Sequence, residues 1–318
     1  MSTNEIKIIG VGKTGHQIVE KISVEAIKNT DCIVCDINAK DLANSSVQNK
    51  ILLGTGKIKH LSIENQVEIG MDSVLNSEVE LATNLAIYGF DQFDALFGEQ
   101  SKMTILISRL GGTTEAGATP VIAQIAYKRG VFVGAIVYTP FDFESENTKN
   151  IANKALRKLR EDCDLVLVIK HSKIGKLYGN LSFKNSESKA NEIVIRLVKA
   201  IMPMGFINDN RLDLKLFFKN NIDDNPFFIG IGDGEGTDRA KKAIEAALKN
   251  TLSERERFEG VNNILLQINS GSTEMTVEEK REIDNVIFNT LKNRSAITMS
   301  VSEDCSLGNA LSIMVIAY

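Results

Sequence analysis

The sequence predicts an α/β protein with an N-terminal domain on a parallel sheet, a buried central helix and a smaller C-terminal α+β domain. Three observations carry this. Two apolar runs, Glu5-Ile-Lys-Ile-Ile-Gly10 and Met103-Thr-Ile-Leu-Ile107, each enter a glycine-rich turn that leads into a helical pattern. Ser188-Lys-Ala-Asn-Glu-Ile-Val-Ile-Arg-Leu-Val-Lys-Ala-Ile-Met202, within an anchor over 186–203, turns apolar almost all round toward its C-terminal half, as a helix buried between two domains does. Beyond it, strand and helix patterns alternate again to the end of the chain. The expected domains are 1–182, 183–205 for the central helix, and 206–318.

Each element has its own reason. After Gly10-Val-Gly-Lys-Thr-Gly15 comes an amphipathic pattern to about Lys28, then the strand-like Cys32-Ile-Val-Cys-Asp36. Strand, G-x-G-x-x-G, helix, strand, with an acid about 20 residues on, fits a dinucleotide fingerprint, with Asp36 on a ribose. An NAD-dependent oxidoreductase is therefore one reading. A Walker A loop is excluded, because Lys7 stands where its first glycine would be. Residues 73–100 read as helical, with an apolar stripe of Leu75, Val79, Leu81, Leu85, Ile87 and Phe90.

The second turn is the longer one: Ser108-Arg-Leu-Gly-Gly-Thr-Thr-Glu-Ala-Gly-Ala-Thr-Pro120, ahead of Val121-Ile-Ala-Gln-Ile-Ala126. Bare backbone N–H groups and the positive end of a helix dipole make such a turn an anion site. Gly111, Gly112 and Gly117 would admit close backbone approach, and Thr113 and Thr114 add hydroxyls. Alone it could be a tight strand–helix connection. Together with the first loop it gives two candidate phosphate-facing turns, where a dehydrogenase fingerprint needs one.

These segments resemble the tubulin/FtsZ family, whose signature loop reads Gly-Gly-Gly-Thr-Gly-(Thr/Ser)-Gly against Gly-Gly-Thr-Thr-Glu-Ala-Gly here. The following Ala-Thr-Pro-Val-Ile-Ala-Gln-Ile-Ala and Pro140-Phe-Asp-Phe-Glu144 are similar to bacterial FtsZ in particular. The resemblance implies GTP or GDP between the two loops, with Mg²⁺ accompanying it. It also implies head-to-tail self-assembly and hydrolysis completed by a neighbouring subunit.

Carried onto this chain, the resemblance assigns nucleotide contacts to Gly12, Lys13, Thr14, Gly15, Gln17, Gly111, Gly112, Thr113, Thr114, Glu115, Gly117, Glu144, Thr148 and Asn191. The synergy-loop positions are Asn208, Asn210 and Asp213. Several depart from the family. Lys13, Thr14, His16 and Gln17 replace residues of a nearly all-glycine loop. Glu115 replaces a glycine, and a carboxylate within ~4–6 Å of phosphates repels them. Thr148 stands where the family has an arginine near the terminal phosphates, with Lys149 beside it. Glu187 replaces the aromatic that stacks on guanine, while Asn191 keeps the base-reading position. Asn210 replaces the middle carboxylate of the synergy loop. Weak nucleotide affinity and impaired hydrolysis are expected. A degenerate homologue acting as scaffold or regulator of a true FtsZ is the alternative.

The remaining chain fits the same resemblance. Asp36-Ile-Asn38 loosely matches the family's Asn-Thr-Asp loop, and Ile51-Leu-Leu-Gly-Thr-Gly56 its Ile-Gly-x-Gly turn. Gly130 reads as a C-cap, Val131–Tyr138 and Asp164–Lys170 as strands, and His171 as a polar loop residue. Phe227-Phe-Ile-Gly-Ile231 is a strand, Gly232–Gly236 a glycine-shaped turn, and a helix follows to Leu248. Strand 263–269, helix 277–292 and strands 297–301 and 310–317 complete the smaller domain. The family's flexible linker and membrane-recruiting tail would lie beyond Tyr318.

Bulk properties narrow the partners. Hydrophobic content of 43% and charge of 25% over 318 residues suit a globular protein with sizeable cores. A net charge of −4 without a basic stripe gives no reason to expect nucleic acid. No membrane-length apolar run or signal-peptide pattern is read, and four scattered cysteines suggest reduced thiols and a cytoplasmic setting. Cys32 and Cys35 lie three apart in a strand-like run, on opposite faces, which argues against a shared metal. No hydrolytic triad spacing is found.

Overall fold

The computed structural model describes residues 4–25, 27, 29–54, 71–179, 181–207, 227–258, 260–291 and 296–318. The chain divides into two compact units, with a boundary after Val166.

The first unit is built on strands β1 (Ile6–Val11), β2 (Thr30–Asp36), β3 (Asn49–Leu52), β4 (Met103–Arg109), β5 (Phe132–Thr139) and the start of β6 (Leu165–Lys170). The sheet order is β3-β2-β1-β4-β5-β6. Pairings β1–β2, β1–β4, β2–β3 and β4–β5 are parallel. Continuous burial along β1 and most of β4 explains their unbroken apolar reading, since a parallel sheet is covered on both faces. In register, Val11 lies opposite Ser108, so β1 and β4 end side by side. This is the point where strand order reverses, the usual ligand position in an open α/β sheet.

The helices of this unit are α1 (Gly12–Val24), α2 (Ala39–Asn44), α3 (Met71–Tyr88), α4 (Phe90–Leu96), α5 (Thr113–Lys128) and α6 (Glu146–Asp162). Helix α1 ends near Val24, short of the expected Lys28. The long helix read over 73–100 is two, parted at Gly89. Its apolar stripe is also corrected: Ile87 and Phe90 are exposed, whereas Ala82, Leu85 and Ala86 are buried. Small residues win that face because α3 approaches the backbone of α5, where a Cβ on Gly117 would lie 2.5 Å from the Val79 carbonyl oxygen. Helix α2 and strand β3 were not expected. Asn38 caps α2, its side chain accepting from the Lys40 N–H at 3.0 Å. Gly130 takes a left-handed φ of 73° after α5, as a C-cap glycine should. Of the Ile51–Gly56 turn, residues 55 and 56 lie outside the described residues.

The second unit contains α7 (His171–Tyr178), α8 (Phe183–Ile207) up to its last residues, β7 (Phe228–Gly234), α9 (Arg239–Lys249), β8 (Asn263–Ser270), α10 (Val277–Leu291), β9 (Ala296–Glu303) and β10 (Leu311–Ala317). Its sheet runs β7-β10-β8-β9, with β10 antiparallel to both neighbours and β8 parallel to β9. The expected central helix is α8, with Ile193, Val194, Leu197, Val198, Ile201 and Met202 buried. His171 is not a loop residue; it opens α7 and is buried. Of the expected Gly232–Gly236 turn, Gly232 and Gly234 lie in β7, as Gly230 does. A Cβ at Gly230, Gly232 or Gly234 would lie 2.0–2.2 Å from carbonyl oxygens of α9, so their absence of side chains lets that helix lie against the strand. Arg239 fastens the same helix. Its guanidinium grips Glu279 through two bonds and donates to the Asn309 and Glu274 carbonyls.

Candidate functional site

The site forms where β1 and β4 end. The first loop is tighter than the sequence reading allowed, because α1 starts at Gly12 itself, which takes a φ of 70°. That left-handed backbone selects glycine. Gly10 and Gly15 serve packing: a Cβ on Gly15 would lie 2.6 Å from the Ile107 carbonyl, so α1 could not lie so close to β4 with any larger residue. Lys13 and Gln17 are exposed on the first turns of α1, and Thr14 is half-buried.

The second loop is also short. Helix α5 begins at Thr113, so the non-helical part is Leu110-Gly-Gly, with Gly111 at a φ of 110°. Thr113, Thr114 and Glu115 form the first turn, and Thr114 is buried. Gly117 lies in the next turn, facing α3 as described, which gives it a packing role. Neither α1 nor α5 has a side-chain cap at its N-terminus. Two sets of first-turn N–H groups and two positive dipole ends are therefore available to an anion.

That space holds a carboxylate of the chain itself. A Cβ placed on Gly12 would fall 2.2 Å from Glu115 Oε1, and one on Gly112 would fall 2.1 Å from Oε2. The carboxyl of Glu115 thus sits between the two glycine loops. Burial pushes its pKa up to about 7, and the nearby Asp36 adds to the rise. Its own backbone N–H and the Arg109 guanidinium act the other way.

Asp36 closes the C-terminal end of β2 and is buried. It accepts from the Asn38 N–H at 3.1 Å and lies 3.8 Å from His16 Nε2. Burial raises its pKa, against the Asn38 N–H and His16. The His16 ring is buried against the Cys35 carbonyl at 3.1 Å.

Arg109 is the residue sequence reasoning missed. It ends β4, and its Nη2 donates to Glu144 Oε1, which also accepts the Phe141 N–H at 2.8 Å. The guanidinium lies 5.6 Å from the Phe141 ring centre, and its buried Nε has no hydrogen-bond partner among the described residues. An unsatisfied buried donor of this kind is uncommon. The available signal was a lone cation closing an otherwise apolar strand.

Thr148 lies in the first turn of α6. Its N–H donates to Ser145 Oγ at 3.1 Å, its hydroxyl meets the same oxygen at 2.8 Å, and its methyl packs by Gly111. Lys149 points to Glu146 at 3.0 Å, on the outside of that helix. Glu144 and Thr148 therefore lie beside the second loop, and Lys149 is engaged elsewhere. Asn191 is buried on α8 in the second unit, and Glu187 is half-buried there. Asn208, Asn210 and Asp213 lie outside the described residues.

Comparison with known proteins agrees with this arrangement. Residues 5–179 match the tubulin/FtsZ family GTPase domain, and residues 227–318 match the FtsZ family C-terminal domain. The cell division protein FtsZ of Mycoplasmopsis pulmonis is 30% identical over 99% of this chain and 77% of its own length. FtsZ 1 of Methanocaldococcus jannaschii is 25% identical over 98% of this chain and 82% of its own. Among solved structures, an empty FtsZ dimer from M. jannaschii aligns with a TM-score of 0.81 at 23% identity, covering 99% of this chain and 88% of that one. CetZ2 of Haloferax volcanii, a protofilament with GTPγS bound, aligns at 0.68 and 15% identity, over 98% and 92%. Strand order alone fits a dinucleotide-binding sheet equally well; the second glycine loop and the C-terminal domain do not. The chain belongs to the tubulin/FtsZ family and is a divergent FtsZ-like member of it.

Proposed function

We propose that this chain is a filament-forming FtsZ-like protein that takes a guanine nucleotide between its two glycine loops and turns it over slowly. The observation that carries the reading is the pair of uncapped helix N-termini, at Gly12 and Thr113, that converge beside paired strand ends. Such a cradle suits the phosphates of a nucleotide. Mg²⁺ would come with the nucleotide, whose phosphates it binds. The hard oxygen donors beside it are Thr113, Thr114 and Glu115. Head-to-tail assembly and a cytoplasmic setting belong to the same reading; a role in cell division is supported by the relatives named cell division protein FtsZ, and self-association by the FtsZ dimer.

Slow turnover follows from the residues that differ. Thr148 is held in the first turn of α6, bonded to the cap Ser145, and offers no guanidinium. Asn210 is neutral where the family places a carboxylate, and one lost positioned polar group commonly lowers a rate on the order of 10²–10³-fold. A non-hydrolysing scaffold that partners a true FtsZ is the second reading, favoured by the carboxylate lodged between the loops.

Titration of labelled GTP, GDP, ATP and NAD, followed by sedimentation and phosphate release, tests these readings. The first expects guanine nucleotide binding, sedimenting polymer and slow release of phosphate that Asn210→Asp accelerates only where polymer sediments. Absence of nucleotide binding with normal folding would move the assignment to the scaffold. Brisk hydrolysis by a chain that stays monomeric would overturn the two-subunit mechanism.

A further inference from the structure

Glu115 is placed where an incoming phosphate would need to be. Its two carboxylate oxygens lie so near Gly12 and Gly112 that neither glycine could carry even a methyl group without displacing them. It occupies the first turn of α5, where an acid interacts well with the dipole and with its own N–H. The chain thus supplies the anion that its paired helix ends attract.

The groups around it decide what happens when a second anion arrives. From β2 come Asp36, a like charge, and the Cys35 thiol, whose pKa burial, Asp36 and Glu115 all raise. From α1 come His16, which faces Asp36, and the exposed Lys13. From β4 comes Arg109, already committed in part to Glu144. Among the described residues Arg109 is shared with Glu144 and Lys13 is solvent-exposed, so neither fully offsets a carboxylate and a phosphate held together, and bringing both there favours neutralising one of them.

We propose that Glu115 is a built-in occupant of the phosphate cradle, and that nucleotide enters as this carboxyl takes up a proton and yields its place between Gly12 and Gly112. The inference rests on the nucleotide-binding reading above and assigns to that site proton-coupled control. No bond is made or broken except the O–H on Glu115, and the proton comes from solvent. With the free carboxyl titrating near 7, the acid form is abundant at pH 6 and scarce at pH 8. A phosphate alongside raises the pKa further, so binding draws in a proton above pH 7. Affinity should then fall on the order of tenfold per pH unit above about 7 and level off below it.

The test uses fluorescent GDP with EDTA present, so that no divalent cation bridges the two anions, and the wild type, Glu115→Gln and Glu115→Gly chains between pH 6 and 8.5. Thermal melts confirm that each variant is folded. The expected result is an approximately fivefold weaker Kd for the wild type at pH 8 than at pH 7, steepening toward tenfold per unit above pH 8. Glu115→Gln should be nearly flat and tighter than wild type at pH 8, and Glu115→Gly should follow it. Glu115→Gln retains His16, Asp36 and the nucleotide's own titration, so a slope from those sources persists in it. Calorimetry at pH 8 in buffers of different ionisation enthalpy should show close to one proton taken up by wild type and none by Glu115→Gln. A wild-type affinity that is flat with pH, or that runs parallel to Glu115→Gln, overturns the proposal and leaves nucleotide binding intact. Failure of all three folded chains to bind GDP at any pH overturns the nucleotide reading itself, and this inference with it.

Discussion

Glu115→Gln should stabilise the protein in the absence of any ligand. The wild-type carboxyl is lodged between two glycine loops, and its pKa rises from the ordinary 4.5 to about 7. A carboxyl with a raised folded-state pKa keeps its proton in the native state over a range where the unfolded chain has lost it. Unfolding then releases a proton, so stability falls as pH rises from about 4.5 to 7, and the full loss persists above 7. A rise from 4.5 to about 7 corresponds to about 3 kcal/mol. The residue is half-buried and so partly screened by solvent, and the expected difference between wild type and Glu115→Gln at pH 8 is about 1–3 kcal/mol. Urea melts of both chains at pH 5, 6, 7 and 8 measure it. The gap should be small at pH 5, grow to pH 7 and stay constant to pH 8. A Glu115→Gln chain no more stable than wild type at pH 8 would show that the carboxylate is well accommodated and would refute the reasoning. The same Glu115 titration sets both windows: stability falls as pH rises to about 7, and ligand affinity falls above it, so the two measurements should report one pKa.

Two other changes probe what holds each unit. Lys7 is buried, with its ammonium on Asp31 and on the Asn4 carbonyl, so Asp31→Asn leaves a buried cation short of its counter-charge. A loss of about 3 kcal/mol in urea melts is expected, largely recovered by adding Lys7→Met. Arg239→Ala removes the two bonds to Glu279 and strands the Asn309 and Glu274 carbonyls, which should lower stability by about 2–4 kcal/mol. Arg239→Lys, a point charge without the planar fork, should recover less than half of that in the same assay.

Legibility in the sequence followed how local the deciding interaction was. Strands β1, β4 and β5 were readable because burial on both faces leaves a continuous apolar run. The positive φ at Gly12, Gly111 and Gly130 was readable because only glycine accepts it cheaply. By contrast, β3 is a short edge strand with two exposed residues, and nothing in Asn49-Lys-Ile-Leu52 marks it. The packing of Gly117 against α3, and the placement of Gly232 and Gly234 in β7 rather than a turn, were illegible for one reason. A glycine required by a neighbouring helix looks identical in sequence to one required by a ligand. His171 was misread because nothing in the local sequence marks it as the buried first residue of α7. The signature loop itself was found, but where it stops was not, since Thr113–Pro120 is helical despite holding a glycine and a proline.

The Glu115 substitution explains how a fold can survive while its ligand site changes character. Three residues into a helix is a position where an acid is welcome, because its charge meets free N–H groups and the dipole. A glycine-to-glutamate change there costs the fold little locally, and helix propensity favours it. The same N–H groups are what a phosphate would use. One substitution therefore converts a ligand's binding determinant into an internal contact without disturbing β1, β4 or either helix. The Arg109–Glu144 pair follows the same logic: this cation is held by a carboxylate of the chain, and its Nε has no hydrogen-bond partner among the described residues. Both charges that a nucleotide would meet are already matched from within, and the altered property is exchange of the internal anion for an external one. Substitutions at position 115 should consequently move nucleotide affinity and its pH dependence far more than the spectroscopic signature of the fold. A Glu115→Gly chain with unchanged circular dichroism and unchanged GDP affinity would show that the cradle does not discriminate between the two anions, and that the divergence in function has to be sought in the synergy loop.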